Sequence, residues 1–316
     1  MQFESEFKDF LRDHVNLNET RLNKAEDAAK SVRRFLASNL QGFVNTERQG
    51  SLALRTVIKP PRDTTEYDVD MLVLVEHKAT WEAADYLDNL YDVLGSGVYK
   101  DKRCNKTRCV MLKYAGDFHM DLVPCIEKSS HKLICNRKEN RFEITDGTGY
   151  RNWLLEKNSL TNGNLKRCVR LLKYLRDIRV NFTLPSILLT TLTGMTIKNP
   201  LGDRYKSISN TLLSVSSDMR EYLELHPTFH EVENPVLPEE KFSRQWDEKK
   251  YNNFRKRFLE IAGRIQVAYE ESDRDISLTE WKKLFGDEFG PKIKSNSSNS
   301  ITASRFVNNL PKPYSV

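Results

Sequence analysis

The segment Tyr67–Val75, YDVDMLVLV, constrains this chain more than any other. Its second half, Met71–Val75, is the longest unbroken apolar run in the sequence and reads as a buried strand. Its first half carries Asp68 and Asp70, and side chains two apart on a strand share one face. Two carboxylates side by side at the mouth of an apolar strand repel each other and cost stability unless a cation lies between them. Oxygen donors of this charge suit Mg2+ or Mn2+ rather than zinc. A solvated strand end would show the same Asp-x-Asp spacing, so other residues have to separate the two readings.

A third carboxylate helps to do so. Cys109–Ala115 and Phe118–Ile126 are strand-like runs separated by Gly116-Asp117, which predicts a hairpin with a two-residue turn. Asp121 lies in the second run and joins Asp68 and Asp70 if that strand lies beside the first. Three carboxylates gathered on neighbouring strands would hold two divalent ions, the arrangement used for in-line phosphoryl transfer. Upstream stands Gly50-Ser51, where glycine lets the backbone approach a phosphate closely and the serine hydroxyl can bond its oxygens. The dipeptide alone says nothing. The ordered set of Gly-Ser, Asp-x-Asp leading an apolar strand and a later Asp inside a second strand is specific.

Around these motifs the chain alternates elements. Residues 3–15 and 19–40 carry apolar residues at helical spacing, and Thr80–Leu94 reads as a helix stopped by Gly95. Gly50–Pro61 is a Gly/Ser-opened segment closed by Pro60-Pro61, and the polar run EKNSLTNGN at 156–164 is the expected linker. Beyond it, Asn164–Val180, a helix beginning near Pro185, Tyr205–Leu223 and Asp247–Glu270 read as helices. Ser277-Leu278-Thr279-Glu280 reads as a capping box opening a last helix to Phe285. The expected organisation is a catalytic lobe over 1–158 that includes the N-terminal helices, a helical lobe over 159–290 and a flexible tail over 291–316.

Composition narrows the function classes. The 316 residues are 30% charged and 39% hydrophobic, which suits a soluble globular protein and argues against extensive disorder. No apolar run approaches the roughly 20 residues of a membrane span, and the opening MQFESEFKDF shows no secretory signal. The expectation is a cytoplasmic protein without membrane association. A net charge of +6 leaves phosphates, nucleic acid and acidic protein surfaces open as partners. Five cysteines without a C-x-x-C pair argue against disulfides or a zinc ribbon.

With these residues in place, QGSLALRTVIKPPRDTTEYDVDMLVLV resembles the polymerase-β-like nucleotidyltransferase superfamily. More narrowly it resembles the bacterial cGAS/DncV-like nucleotidyltransferases, the CD-NTases of CBASS antiphage systems. The matching positions are Gln49, Gly50, Ser51, Asp68, Asp70 and Asp121. The resemblance implies an α+β fold in which a mixed-sheet nucleotidyltransferase lobe joins a mostly helical lobe, with the active site in the cleft between them. It also implies two Mg2+ or Mn2+ ions, NTP substrates and a cyclic di- or trinucleotide product that activates an effector in antiphage defence. In LLKYLRDIRVNFTLPSILL it assigns Lys173 and Ser186 to the donor triphosphate. The residues alone leave Lys173 on a basic face with Lys166 and Arg170, and leave Ser186 as a helix cap. His119, two residues before Asp121, should share its strand face and reads as structural ahead of a supporting or substrate role, and Asn234 reads as a residue of loop geometry ahead of a nucleotide contact. Arg55, Lys59 and Arg62 read either as ordinary loop charges or as positive potential beside the cleft.

The sequence departs from the family at Ile187, where an aromatic residue often stacks on a base, and it lacks the zinc insertion of the animal enzymes. Sensing of double-stranded DNA through that module is not implied, and binding of nucleic acid is not required. Regulatory or conjugating protein partners, the latter through the Ser/Asn-rich tail, complete the expectations. The rival readings are a synthase of linear oligonucleotides or an RNA-tailing enzyme, and a non-catalytic nucleotide-binding module.

Overall fold

The computed structural model describes residues 2–61, 66–198, 202–244 and 246–291. Arg62 and residues 292–316 of the expected tail lie outside them.

The apolar strand, β2 (Tyr67–Val75), pairs on one side with β1 (Phe43–Gln49) and on the other with β5 (Phe118–Lys128). The β2–β5 pair is parallel, and the pairing with β1 is antiparallel. Parallel neighbours need a long crossover. Here it runs through α4 (Ala83–Val93), β3 (Arg103–Asn105) and β4 (Val110–Tyr114), giving the order β1-β2-β5-β4-β3. The far end of β5 pairs with β6 (His131–Asn136), which pairs with β7 (Arg141–Thr145). The sheet is mixed and the helices lie mainly outside it, as the expected α+β fold requires.

Alternation along β2 and β5 decides which face does what. Val69, Met71 and Val73 of β2, with Phe118, Met120 and Leu122 of β5, pack on Ala25, Ala29, Val32 and Leu36 of α2 (Glu19–Asn39). Asp68, Asp70, His119 and Asp121 therefore fall on the opposite face. The hairpin differs from the two-residue expectation. Tyr114 pairs with Phe118, which leaves a three-residue loop with Gly116 at φ 75°. Its Asp117 binds Arg21 and Lys24 of α2, each at 2.8 Å, and this longer turn lets the carboxylate reach the helix. α4 starts at Ala83, because Glu82 and Asp85 cap each other reciprocally there.

The helical half has its own core. α1 (Glu4–Phe10), continued by one π-helical turn to Val15, packs into this core. Phe7 meets Trp281 at 5.0 Å and Phe289 at 4.8 Å between ring centroids. Two expectations need correction here. The 156–164 run is no free linker: it holds the last turn of α5 (Gly147–Ser159) and a tight corner into α6 (Asn164–Arg179). Asn158 Oδ1 accepts from Lys166 N at 3.0 Å and Thr161 Oγ1 from Leu165 N at 2.9 Å, so the polar residues that looked like linker chemistry satisfy the helix end. The supposed capping box at Ser277 lies inside α10 (Arg274–Phe285). Asp273 caps that helix by accepting from Asp275 N and Ile276 N, while buried Ser277 donates to Ala268 O at 2.6 Å.

The remaining helices are α7 (Ser186–Met195), α8 (Ile208–Leu225) and α9 (Glu248–Glu270). α8 starts later than the sequence suggests, because Ser207 caps it and a short 3₁₀ turn precedes it. Between α8 and α9, β8 (Glu233–Asn234) and β9 (Leu237–Lys241) form a small ribbon. Asn234 shapes its turn, accepting from Val236 N at 3.1 Å and donating to Glu240 at 2.7 Å.

Truncating the fully buried Phe7 should leave a cavity among the rings of Trp281, Phe285 and Phe289. Phe7→Ala should lose about 3–5 kcal/mol of unfolding free energy in urea titration, and a loss below 1 kcal/mol would show that α1 is not part of the helical core.

Candidate active site

Register builds the site. Asp70 of β2 sits abreast of Asp121 of β5, and Asp68 abreast of His119. On the other side Gln49, the last residue of β1, pairs with Asp70. Gly50 then turns the chain into the short helix α3 (Gly50–Ala53) with φ 65°. A Cβ at Gly50 would lie 1.7 Å from Asp70 Oδ2, so only glycine fits between the strand end and that carboxylate. Ser51 follows, and its carbonyl accepts from Thr56 N at 2.8 Å and Val57 N at 3.1 Å, folding the loop back on itself.

A cleft of about 830 Å3 opens here. Its lining includes Ser51, Asp68, Lys173, Arg176 and Ser186. The structure thus brings the Gly-Ser serine, one aspartate and both residues of the helical half to one opening. Asp70 lines a second cavity, shared with Arg55 and Arg170, on the other side of the 51–57 loop.

Lys173 is not on a solvated face. It is only 2% exposed and donates to Thr56 O at 3.0 Å and to Thr56 Oγ1 at 3.2 Å. One turn earlier on α6, Arg170 donates to Arg55 O at 3.2 Å. Two side chains of one helix thereby clasp consecutive residues of the loop after Ser51. Burial lowers the Lys173 pKa to about 7, with Arg176 adding to the effect and Asp177 and Asp70 opposing it. Ser186 opens α7 directly after Pro185, and its Oγ accepts from Arg176 at 3.1 Å. Pro185 is the N-cap, so Ser186 is not the cap the residues alone suggested.

The carboxylates do not point at a common centre. Among the described residues, no group of three or more His, Cys, Asp or Glu side chains is disposed to hold a metal ion as it stands. Each aspartate has found separate relief from its neighbours' charge. Asp68, with 61% of its side chain exposed, binds His119 Nε2 at 2.8 Å. Asp70 turns toward Gly50, and burial, then Asp68 and Asp121, push its pKa up to about 7. Burial also raises Asp121, whose Oδ1 is buried with no hydrogen-bond partner among the described residues. An orphaned carboxylate oxygen beside two more carboxylates is the donor chemistry that hard divalent cations take. The residues present therefore fit such ions.

Sequence reasoning missed two supporting groups, Thr56 and Arg176, and read a third, His119, first as structural. His119 contacts Asp68, Thr56 receives Lys173, and Arg176 binds Ser186. Arg176 was findable, since it lies one turn beyond Lys173 on the same helix. Ile187 packs against the helical core, which accounts for an aliphatic residue there. All five cysteines are free, and four are buried.

Asp70 holds its proton more tightly folded than unfolded, so its ionisation destabilises the fold as pH rises from about 4 toward 7. In EDTA, Asp70→Asn should melt higher than the parent by a margin that grows between pH 5 and pH 8. A margin independent of pH would contradict the buried-carboxylate geometry.

The Second Messenger Oligonucleotide or Dinucleotide Synthetase (SMODS) domain family matches residues 1–158. A c-di-GMP synthase of Roseivirga ehrenbergii is 24% identical, over 93% of this chain and 87% of its own. A cyclic AMP-AMP-AMP synthase of an Acinetobacter species is 23% identical, over 95% of this chain and 89% of its own. Vibrio cholerae DncV cyclic AMP-GMP synthase, solved with nonhydrolyzable GTP, superposes with a TM-score of 0.74 at 13% identity, covering 92% of this chain and 97% of that one. With a matched domain spanning half its length, the chain belongs to the SMODS family and is a cGAS/DncV-like nucleotidyltransferase, a CD-NTase.

Proposed function

We propose that this enzyme joins NTPs into a cyclic di- or trinucleotide by successive nucleotidyl transfers, and that the product activates a separate effector protein in antiphage defence in the bacterial cytoplasm. The observation that carries the reading is the β2–β5 register, which sets Asp70 abreast of Asp121, while Asp68 on the same strand face lines the cleft shared by Ser51, Lys173 and Ser186. The cyclic products named for the Roseivirga and Acinetobacter relatives support the same reaction class.

The donor nucleotide lies in the cleft with its triphosphate toward Ser51, Lys173 and Ser186. Gln49 and Gly50 fix where Ser51 stands, and Lys173 moves from Thr56 to a phosphate oxygen. Asp68, Asp70 and Asp121 would hold two Mg2+ or Mn2+ ions. When bound, these ions neutralise phosphate charge and acidify the attacking hydroxyl. The acceptor ribose hydroxyl attacks the donor α-phosphorus and pyrophosphate leaves. Asp121, whose Oδ1 has no hydrogen-bond partner among the described residues, takes up the proton of that hydroxyl. A linear intermediate turned over in the same cleft closes the ring. Positioning by the two halves supplies much of the rate.

Incubating the purified protein with all four NTPs and Mg2+ or Mn2+ should yield a phosphatase-resistant product with the mass of a cyclic di- or trinucleotide. A phosphatase-sensitive product would assign the enzyme to linear synthesis instead. Asp68→Asn with Asp70→Asn should lower product formation by roughly 100-fold or more, and undiminished synthesis would remove the carboxylates from the mechanism. Gly50→Ala should give a comparable loss with unchanged far-UV circular dichroism, because its Cβ displaces the Asp70 carboxylate.

A further inference from the structure

His119, which the sequence reads first as structural, stands directly against the aspartates. Its ring is held between two carboxylates: Nε2 lies 2.8 Å from Asp68 Oδ1 and Nδ1 lies 3.5 Å from Glu66 Oε2. Glu66 is itself fixed, accepting from the Gly116 N–H of the β4–β5 loop at 3.3 Å through its other oxygen. Strand register sets the remaining constraint. His119 stands abreast of Asp68 on the parallel neighbour and shares a face with Asp121 two residues on. Lys113 is its cross-strand neighbour on β4. The result is a chain of contacts from the hairpin turn through Glu66 and His119 to an aspartate at the cleft.

We infer that His119 is a positioning residue that holds Asp68 while the enzyme is free of cations, occupying the carboxylate oxygen that a divalent ion would otherwise take. The inference rests on the divalent-ion reading above. It explains why the carboxylates are gathered by register and yet do not converge: Asp68, the most exposed of them, is already engaged. Ion binding must withdraw Asp68 from the imidazole. The cation site is thus assembled on demand, when a nucleotide brings its own oxygens, and is not preformed.

The test is calorimetric titration of the full chain with MnCl2 at pH 8, in the presence of a nonhydrolysable ATP analogue. His119→Phe keeps a ring of similar shape and removes both nitrogens. It should bind Mn2+ about five- to tenfold more tightly than the parent, the yield of releasing one charge-assisted hydrogen bond. His119→Gln restores a donor to Asp68 and should return the affinity toward the parent value. Parent binding with unchanged or weaker binding in His119→Phe overturns the inference alone. No Mn2+ binding by the parent overturns the divalent-ion reading, and this inference with it. A second measurement does not depend on the variant folding. In imidazole 1H–15N spectra of the parent, saturating Mg2+ with the analogue should move the His119 resonance, and should not do so in Asp68→Asn. An unmoved parent resonance would also overturn the inference.

Discussion

Repulsion among Asp68, Asp70 and Asp121 is the constraint around which the sheet is arranged, and the parallel register of β2 with β5 is what imposes it. A slip of one residue would turn the aspartates of one strand toward the apolar face under α2. The register is held because Val69, Met71, Val73, Phe118, Met120 and Leu122 must all face that helix. Hydrophobic burial on one face therefore enforces an unfavourable concentration of charge on the other. The fold tolerates this by pairing Asp68 with a histidine and by raising the pKa of Asp70 and Asp121 through burial.

The second organising feature is α6. Its apolar residues Leu165, Cys168, Leu172 and Leu175 belong to the helical core, whereas Arg170 and Lys173 reach across to residues 55 and 56. A buried lysine is costly unless it is hydrogen-bonded, and Thr56 supplies both a carbonyl and a hydroxyl. The same contact ties the helical half to the loop that follows Ser51. Movement of one half relative to the other would displace Lys173 and the loop after Ser51 together.

Much of this was legible from residues. β2, β4, β5 and the helices α2, α4, α6 and α9 follow from apolar periodicity, because each presents a continuous face to a core. β1, β6 and β7 were not legible. FVNTERQ and RFEIT are half-buried and polar, and they become strands only because neighbouring strands offer them backbone partners. α5 opens with Gly147 and Gly149, which disfavour a helix locally, and tertiary packing of Tyr150 and Leu154 overrides them. Polar residues misled in two places. The 156–164 run and the Ser277 motif carry cap chemistry, but the helix ends that use it lie elsewhere than their spacing suggested.

Residue identity and local periodicity settle the kinds of atoms at the site. Asp68 and Asp70 share a face through the two-residue period of a strand, and only glycine suits position 50. Tertiary structure decided everything that depends on approach between distant segments. Parallel pairing across a crossover set Asp121 next to Asp70, α6 turned Lys173 inward onto Thr56, and the hairpin delivered His119 to Asp68. Local periodicity fixes direction along a strand or helix, but which strand lies beside which is settled by burial summed over the whole chain.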